Sequence, residues 1–276
     1  MTGQKGVLNQ HRDLLKFISR NKNIPFAVSL HMTRFLTLRN FIRALAVWTA
    51  LSTLFVLLIA IFFMGPNSRA VIFMGAGLVL LWIVLGGTLM WTTRERVRAF
   101  VLGSRLPWPL TFTLFCTLLA LTEEAVTVSM TNLAPLFGVP LGAAYITASA
   151  NYLDVVTSHS VVVFVPMFIG WAWMLARWDF RPTEVFLLFG LTGFLAETSF
   201  AGLLNLAQAP FWIFVYGLMV WLPANSLPLR SEAKRPGWWV VPLAAILPFV
   251  FAIPVAAVVG LVHPVKIHFP PIPPNS

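Results

Sequence analysis

Residues 43–64 read RALAVWTALSTLFVLLIAIFFM, and after Arg43 no charged residue appears until Arg69. Apolar side chains fall on every side of this run rather than on one stripe, so as a helix it has no face suited to water. A helix of this length rises roughly 30 Å, the thickness of a bilayer's hydrocarbon core. In lipid every backbone N–H and C=O needs an internal partner, and an α-helix supplies them all. The stretch is therefore expected to be a spanning α-helix.

Six further apolar runs follow it, at 70–92, 107–130, 160–176, 184–204, 209–223 and 238–262. The chain is 58% hydrophobic and 10% charged, where a soluble domain carries roughly 25% charged residues. The expected fold class is all-α: a polytopic integral membrane helical bundle of about seven transmembrane helices. The sixth run is short, and the seventh holds Pro242, Pro248 and Pro254, which predict kinks. The one cysteine, Cys116, excludes an intramolecular disulfide and any Cys-based metal cluster.

The net charge of +10 is concentrated between the apolar runs. With the amino terminus in the cytoplasm, 17 of the 19 Lys and Arg residues lie on the inner side and only Arg69 and Lys266 on the outer. Loop Lys and Arg govern orientation, so the expected topology is N-in and C-out, in the cell membrane. The bases then meet anionic headgroups at the cytoplasmic face, and no nucleic-acid partner is expected. Beyond the bilayer itself, no partner subunit is identified.

Three segments follow from this layout. Residues 1–42 form a cytoplasmic basic segment in which Leu14, Leu15, Phe17 and Ile18 are interleaved with bases, which suits an amphipathic helix divided at Pro25. Residues 43–262 form the transmembrane domain, and 263–276 an extracytoplasmic proline-rich tail with no expected chemistry of its own. No cleavable signal peptide is evident, so the first span is expected to direct its own insertion.

Residues 136–158, LFGVPLGAAYITASANYLDVVTS, are apolar enough to raise the question of an eighth span. A crossing there would move Arg177, Arg181, Arg230, Lys234 and Arg235 to the outer side, against the charge rule. Pro135, Gly138, Pro140 and Gly142 also break its beginning. The segment is expected to be re-entrant or superficial, between spans three and four on the outer side.

The nine acidic residues divide by the same topology. Asp13, Glu95, Asp179, Glu184 and Glu232 sit in inner basic segments, where ion pairs and helix starts account for them. Glu123, Glu124, Asp154 and Glu197 fall in or near the outer half of the membrane without a basic residue close in sequence. Ionisable groups in a span are costly and tend to face a bundle interior or a water-filled cavity.

On the third span, Thr113, Cys116, Thr117, Ala120, Glu123, Glu124 and Thr127 recur at three- and four-residue steps, giving one small or polar face. On the fifth, Gly190, Gly193, Glu197 and Ala201 do the same, and the two faces are expected to pack together. Packing alone accounts for the small residues; it does not account for the glutamates. Between these spans, Thr147, Asn151, Asp154 and Ser158 share a face if 143–158 is helical. His159 then points about 140° away from Asp154, so the two meet only if the helix ends or bends first.

Two chemistries suit this set. In the first, Glu123, Glu124 and Glu197 with His159 are catalytic, a buried glutamate activating water against a scissile bond, and Asn151 and Asp154 bind substrate. In the second, the carboxylates take up and release a proton or cation, as in coupled transporters. A structural subunit of a membrane complex is the reading without chemistry. No HExxH or similar spacing points to a metal, and no cofactor is assigned.

A glutamate doublet followed some 35 residues later by a histidine resembles the CAAX-type intramembrane glutamic proteases. That resemblance would imply water activation by Glu123 or Glu124 with help from His159. The family pattern also has an arginine soon after the doublet and a second histidine with a nearby asparagine in a later helix. Here Glu123-Glu124-Ala-Val-Thr lacks the arginine and no later run contains a histidine, so membership does not follow.

Other seven-span chemistries lack their residues. The last run has no lysine for a retinal Schiff base, only one histidine lies near the membrane interior to hold haem, and the nucleotide-binding glycine motifs are missing.

Overall fold

Each of the seven apolar runs falls on a helix in the computed structural model, which describes residues 26–265 and 267–269. Eight α-helices are present among them: α1 (Phe26–Phe63), α2 (Pro66–Leu102), α3 (Trp108–Asn132), α4 (Tyr152–Ser158), α5 (Val161–Arg177), α6 (Pro182–Ala201), α7 (Ala209–Asn225) and α8 (Val240–Val262). No strand is found among the described residues, only isolated bridges. The chain divides into two compact units, Met1–Val47 and Trp48–Ser276. In the first, residues 26–47 are helical throughout, so the segment before the first span is not a separate helix over 26–42. The basic residues before Pro25, and the helix break expected there, lie outside the described residues.

Among the described residues, five helical segments are long and apolar enough to cross a membrane: Leu38–Phe63, Pro66–Leu102, Trp108–Asn132, Leu206–Asn225 and Val240–Val262. Helices α4 and α5, bent by 45° at their junction, make a sixth if taken together. Helix α5 has 17 residues and gains a full span only with α4, and α6, of 20 residues with Glu184 and Glu197 among its apolar ones, is not among the five. The chain is a helical, multi-pass membrane protein.

Lipid contact explains the outer faces. Leu51, Leu54, Phe55 and Leu58 of α1 and Val250, Ile253 and Val258 of α8 are all exposed, an arrangement that water would penalise and hydrocarbon does not. The interior is aromatic: Trp171 and Phe168 of α5 are fully buried, and Phe168 meets Phe189 of α6 with ring centroids 5.4 Å apart.

Within α2, residues Val79–Gly86 are wound as a π-helix. There the buried Trp82 indole donates to the carbonyl of Val215 in α7 at 3.0 Å, an interhelical bond in a region without water. Helix α8 carries Pro248 and Pro254 in its interior. Pro242 stands in its first turn, where a missing N–H leaves no hydrogen bond unmade. One turn before Pro248, the carbonyl of Ala245 accepts from Thr192 of α6 at 2.8 Å.

The glycines of α6 meet α7, while Glu197 on the same face approaches the glutamates of α3. A Cβ at Gly193 would collide with the Tyr216 ring, and one at Gly190 would stand 2.5 Å from the carbonyl oxygen of Ile213. Gly217 on α7 is equally tight against Phe186. With glycine on both helices the axes approach until backbone touches side-chain stem, which suits α7 rather than α3 as the partner. The small and polar face of α3 is buried instead against α5 and α7.

At the end of the bundle where α5 finishes and α6 begins, two basic loops are stitched together. The Asp179 N–H donates to Lys234 at 2.8 Å and the Lys234 N–H to Arg177 at 3.1 Å. Arg230 reaches the Leu175 carbonyl at 2.7 Å and Asp179 at 3.2 Å. Burial draws the Arg230 guanidinium below its ordinary pKa, and Asp179 offsets part of that. Glu184 accepts from the Arg181 N–H at 2.8 Å, closing the first turn of α6 as a helix-start carboxylate does.

The segment 136–158 does not form a spanning helix. A 3₁₀ turn over Ala134–Phe137 is followed by turns and bends through residue 150, and only Tyr152–Ser158 is α-helical. Gly138 and Gly142 take positive φ values of 82° and 89°, which side chains with a Cβ adopt only under strain.

Candidate functional site

Helix α3 carries its two glutamates inward. Glu123 and Glu124 are 5% and 7% exposed, so neither is a solvated surface acid. The Thr127 hydroxyl, one turn on, lies 2.9 Å from Glu123 Oε1 and also 2.9 Å from the Glu123 carbonyl, within reach of both acceptors. Glu124 lies beside Ser160, at the junction of α4 and α5. From α6, Glu197 accepts the hydroxyl of Tyr216 of α7, whose ring is seated on Gly193. Glu197 lies close enough to interact electrostatically with both α3 glutamates. Among the described residues, the ion pairs made by arginine engage Glu95, Asp179 and Glu184, and not these three acids.

The irregular segment is laid over this cluster by hydrogen bonds to α3. Thr131 accepts from the Ile146 N–H at 3.2 Å, and the Asn132 side chain donates to the Ala150 carbonyl at 3.0 Å. The Tyr152 hydroxyl donates to the Leu121 carbonyl at 2.9 Å. Asn151 begins α4 as its cap, its Oδ1 accepting from the Leu153 N–H at 3.0 Å. That use of Oδ1 is structural, whereas the sequence reading gave Asn151 to substrate.

Helix α4 ends at Ser158, and His159 takes non-helical dihedrals of −129° and −59°. The break meets the condition under which His159 and Asp154 can face one another. His159 Nε2 lies 3.7 Å from Asp154 Oδ2. A third group comes from the far end of the chain: His268 Nδ1 is 2.8 Å from the same carboxylate oxygen. Ser149 also lies beside Asp154. The two imidazoles lie edge to face, centroids 5.3 Å apart.

His268 is held independently of its imidazole. Its N–H donates to the Ala148 carbonyl at 2.7 Å, and the neighbouring Phe269 stacks on Tyr145 with centroids 4.7 Å apart. Phe269 lies over Gly142, where a Cβ would come within 2.9 Å of the Phe269 Cβ. Gly142→Val therefore both strains a left-handed backbone, at about 1–2 kcal/mol, and displaces the ring. The population with a released tail should rise about tenfold, measured as faster tryptic cleavage after Lys266, followed by mass spectrometry of the released peptide 267–276. An unchanged cleavage rate would contradict this docking.

Of the residues expected at a site, the structure thus gathers Glu123, Glu124 and Glu197 in one cluster and Asp154 and His159 in another. Ser160, next to His159 and beside Glu124, links them. Sequence reasoning missed His268, Tyr216 and Ser160. His268 stands 114 residues from Asp154, beyond any ligand or catalytic spacing motif; a histidine and an aromatic residue just ahead of an otherwise proline-rich terminus were its only signal. Asp154, His159 and His268 also each offer an atom within 4.8 Å of the others, as a metal site requires. Comparison with protein-family models, curated proteins and solved structures finds nothing that matches the chain.

Proposed function

We propose that the chain is an intramembrane hydrolase with its site at the non-cytoplasmic end of the bundle. The observation that carries this reading is the meeting of three carboxylates from α3 and α6, without an arginine or lysine partner among the described residues, next to an Asp154–His159–His268 group at the α4–α5 junction. In this reading Glu124, joined through Ser160 to the imidazole side, takes a proton from water as its oxygen attacks the scissile bond. Glu123 and Glu197 share the proton load. The leaving group is protonated as the bond opens, so water is added across it and no other reactant is needed. Asp154, His159 and His268 hold and polarise the reacting group.

The bundle is N-in and C-out with seven spans, α5 with α4 and α6 included, and lies in the cell membrane with its basic loops on the cytoplasmic face. The cytoplasmic segment, the transmembrane domain and the outer tail meet at residues 42 and 263. Incubating the protein, reconstituted with a membrane lipid and protein extract, in H₂¹⁸O tests the chemistry whichever bond is cut. Products carrying one ¹⁸O are expected; their absence with folded protein overturns the hydrolase.

A specific observation supports a second reading, proton- or cation-coupled transport. Glu123 and Glu124 are almost sealed from solvent, and Tyr216 closes over Glu197, an arrangement that suits carriage of a proton through a closed bundle. In proteoliposomes carrying a pH-sensitive dye, this reading expects flux that Glu197→Gln alters.

A further inference from the structure

We infer that Asp154, His159 and His268 bind a divalent first-row transition-metal ion, with Zn²⁺ the best match, and that the ion ties the carboxyl-terminal tail to the α4–α5 junction. This goes beyond the hydrolase reading, because the site stands on its own geometry whatever the reaction.

Two imidazoles and one carboxylate are the donor set of many three-ligand zinc sites. Nitrogen donors in this proportion disfavour Mg²⁺ and Ca²⁺, which take oxygen. With metal–ligand bonds of about 2.0–2.1 Å, a tetrahedral ion holds its ligand atoms about 3.3 Å apart. The Asp154 oxygen stands 2.8 Å from His268 Nδ1 and 3.7 Å from His159 Nε2, on either side of that value. Small rotations of the side chains close the difference.

A second observation points the same way. His159 Nε2 is buried and has no hydrogen-bond partner. A buried polar atom without a partner is costly, and native interiors leave few of them. Moving it slightly towards the Asp154 oxygen would give it one neighbour, whereas a cation placed among the three groups satisfies both imidazoles and the carboxylate.

The ligands are positioned by parts of the chain that do not depend on the ion. Asn151 caps the helix that carries Asp154, the His159 N–H donates to the Val155 carbonyl at 3.1 Å, and the His268 N–H donates to Ala148. Ser149, whose hydroxyl accepts from the Asn151 N–H at 3.1 Å, stands beside the Asp154 carboxylate, where an outer partner of a ligand belongs. The three side chains are 20%, 14% and 33% exposed for Asp154, His159 and His268, so an ion can enter and a fourth position is left for water or substrate. If the chain is a hydrolase, the ion takes the polarising role.

The test uses the full chain, tag-free in detergent, stripped with a chelator and then exposed to ZnCl₂. Bound zinc is measured by elemental mass spectrometry and affinity by competition with a fluorescent zinc chelator. One zinc per chain is expected. Asp154→Asn, His159→Ala and His268→Ala should each weaken binding at least tenfold, with gel-filtration profile and helical content unchanged. Should His159→Ala fail to fold, His268→Ala decides, since its side chain comes from the tail. Zinc should also slow tryptic release of peptide 267–276 in the wild type and not in His268→Ala. Retention no greater than in protein-free detergent, or retention that all three substitutions leave intact, overturns the site. Zinc bound without ¹⁸O-labelled products leaves the metal site standing and removes the hydrolase; labelled products without bound zinc do the reverse.

Discussion

Glu124→Gln should lower turnover by about 10²–10⁴-fold, the range a general base contributes, while leaving the protein folded. The substitution keeps the shape and the ability to hydrogen-bond, and removes only the capacity to take a proton. Among the three clustered carboxylates, Glu124 is the one beside Ser160 at the α4–α5 junction, so it is the acid whose proton-taking capacity this reading expects to matter most. Glu123→Gln should cost less, because Thr127 already occupies one of its oxygens at 2.9 Å. The measurement is the rate of ¹⁸O incorporation in matched proteoliposomes. A Glu124→Gln protein as fast as wild type would remove the carboxylates from the chemistry and return them to a structural or proton-carrying role.

Gly190→Val should be the most destabilising single change in the bundle. A Cβ there would lie 2.5 Å from the Ile213 carbonyl oxygen and 3.0 Å from its Cα. Backbone cannot step aside as the end of a flexible side chain can, so α6 and α7 must separate. Overpacking of a tight core costs about 1–3 kcal/mol, and separation would also take Tyr216 from Glu197. The loss is therefore expected at or above the upper end of that range, read as a lower unfolding midpoint in detergent. Gly75→Ala is the control: nothing lies within 4 Å of a Cβ at Gly75, and exchanging glycine for alanine inside a helix gains up to about 1 kcal/mol. Equal effects from the two substitutions would mean that α6 and α7 are not held at glycine distance.

The membrane character and the helices were legible because both rest on local properties. An uninterrupted apolar run and the hydrogen-bond demand of lipid decide a helix without reference to any other part of the chain, as in 43–64 and 238–262. The breaks in 136–158 were legible for the same reason, since proline and glycine act on their own residues. The number of spans was less so: α5 is short by itself, and Glu184 and Glu197 interrupt the apolar run of α6.

What the sequence determined by itself is the medium, the helical class and which acids stand in apolar surroundings. Only the tertiary structure decided what those acids meet. Gly190 and Gly193 announce a close neighbour but not which one, and close packing chose α7. His159 could face Asp154 only once α4 had ended, and His268 reached the same carboxylate through a backbone bond to Ala148 and the stacking of Phe269 on Tyr145. The last of these meetings depends on contacts between residues more than 100 positions apart. Periodicity and spacing describe one segment at a time, and carry no information about them.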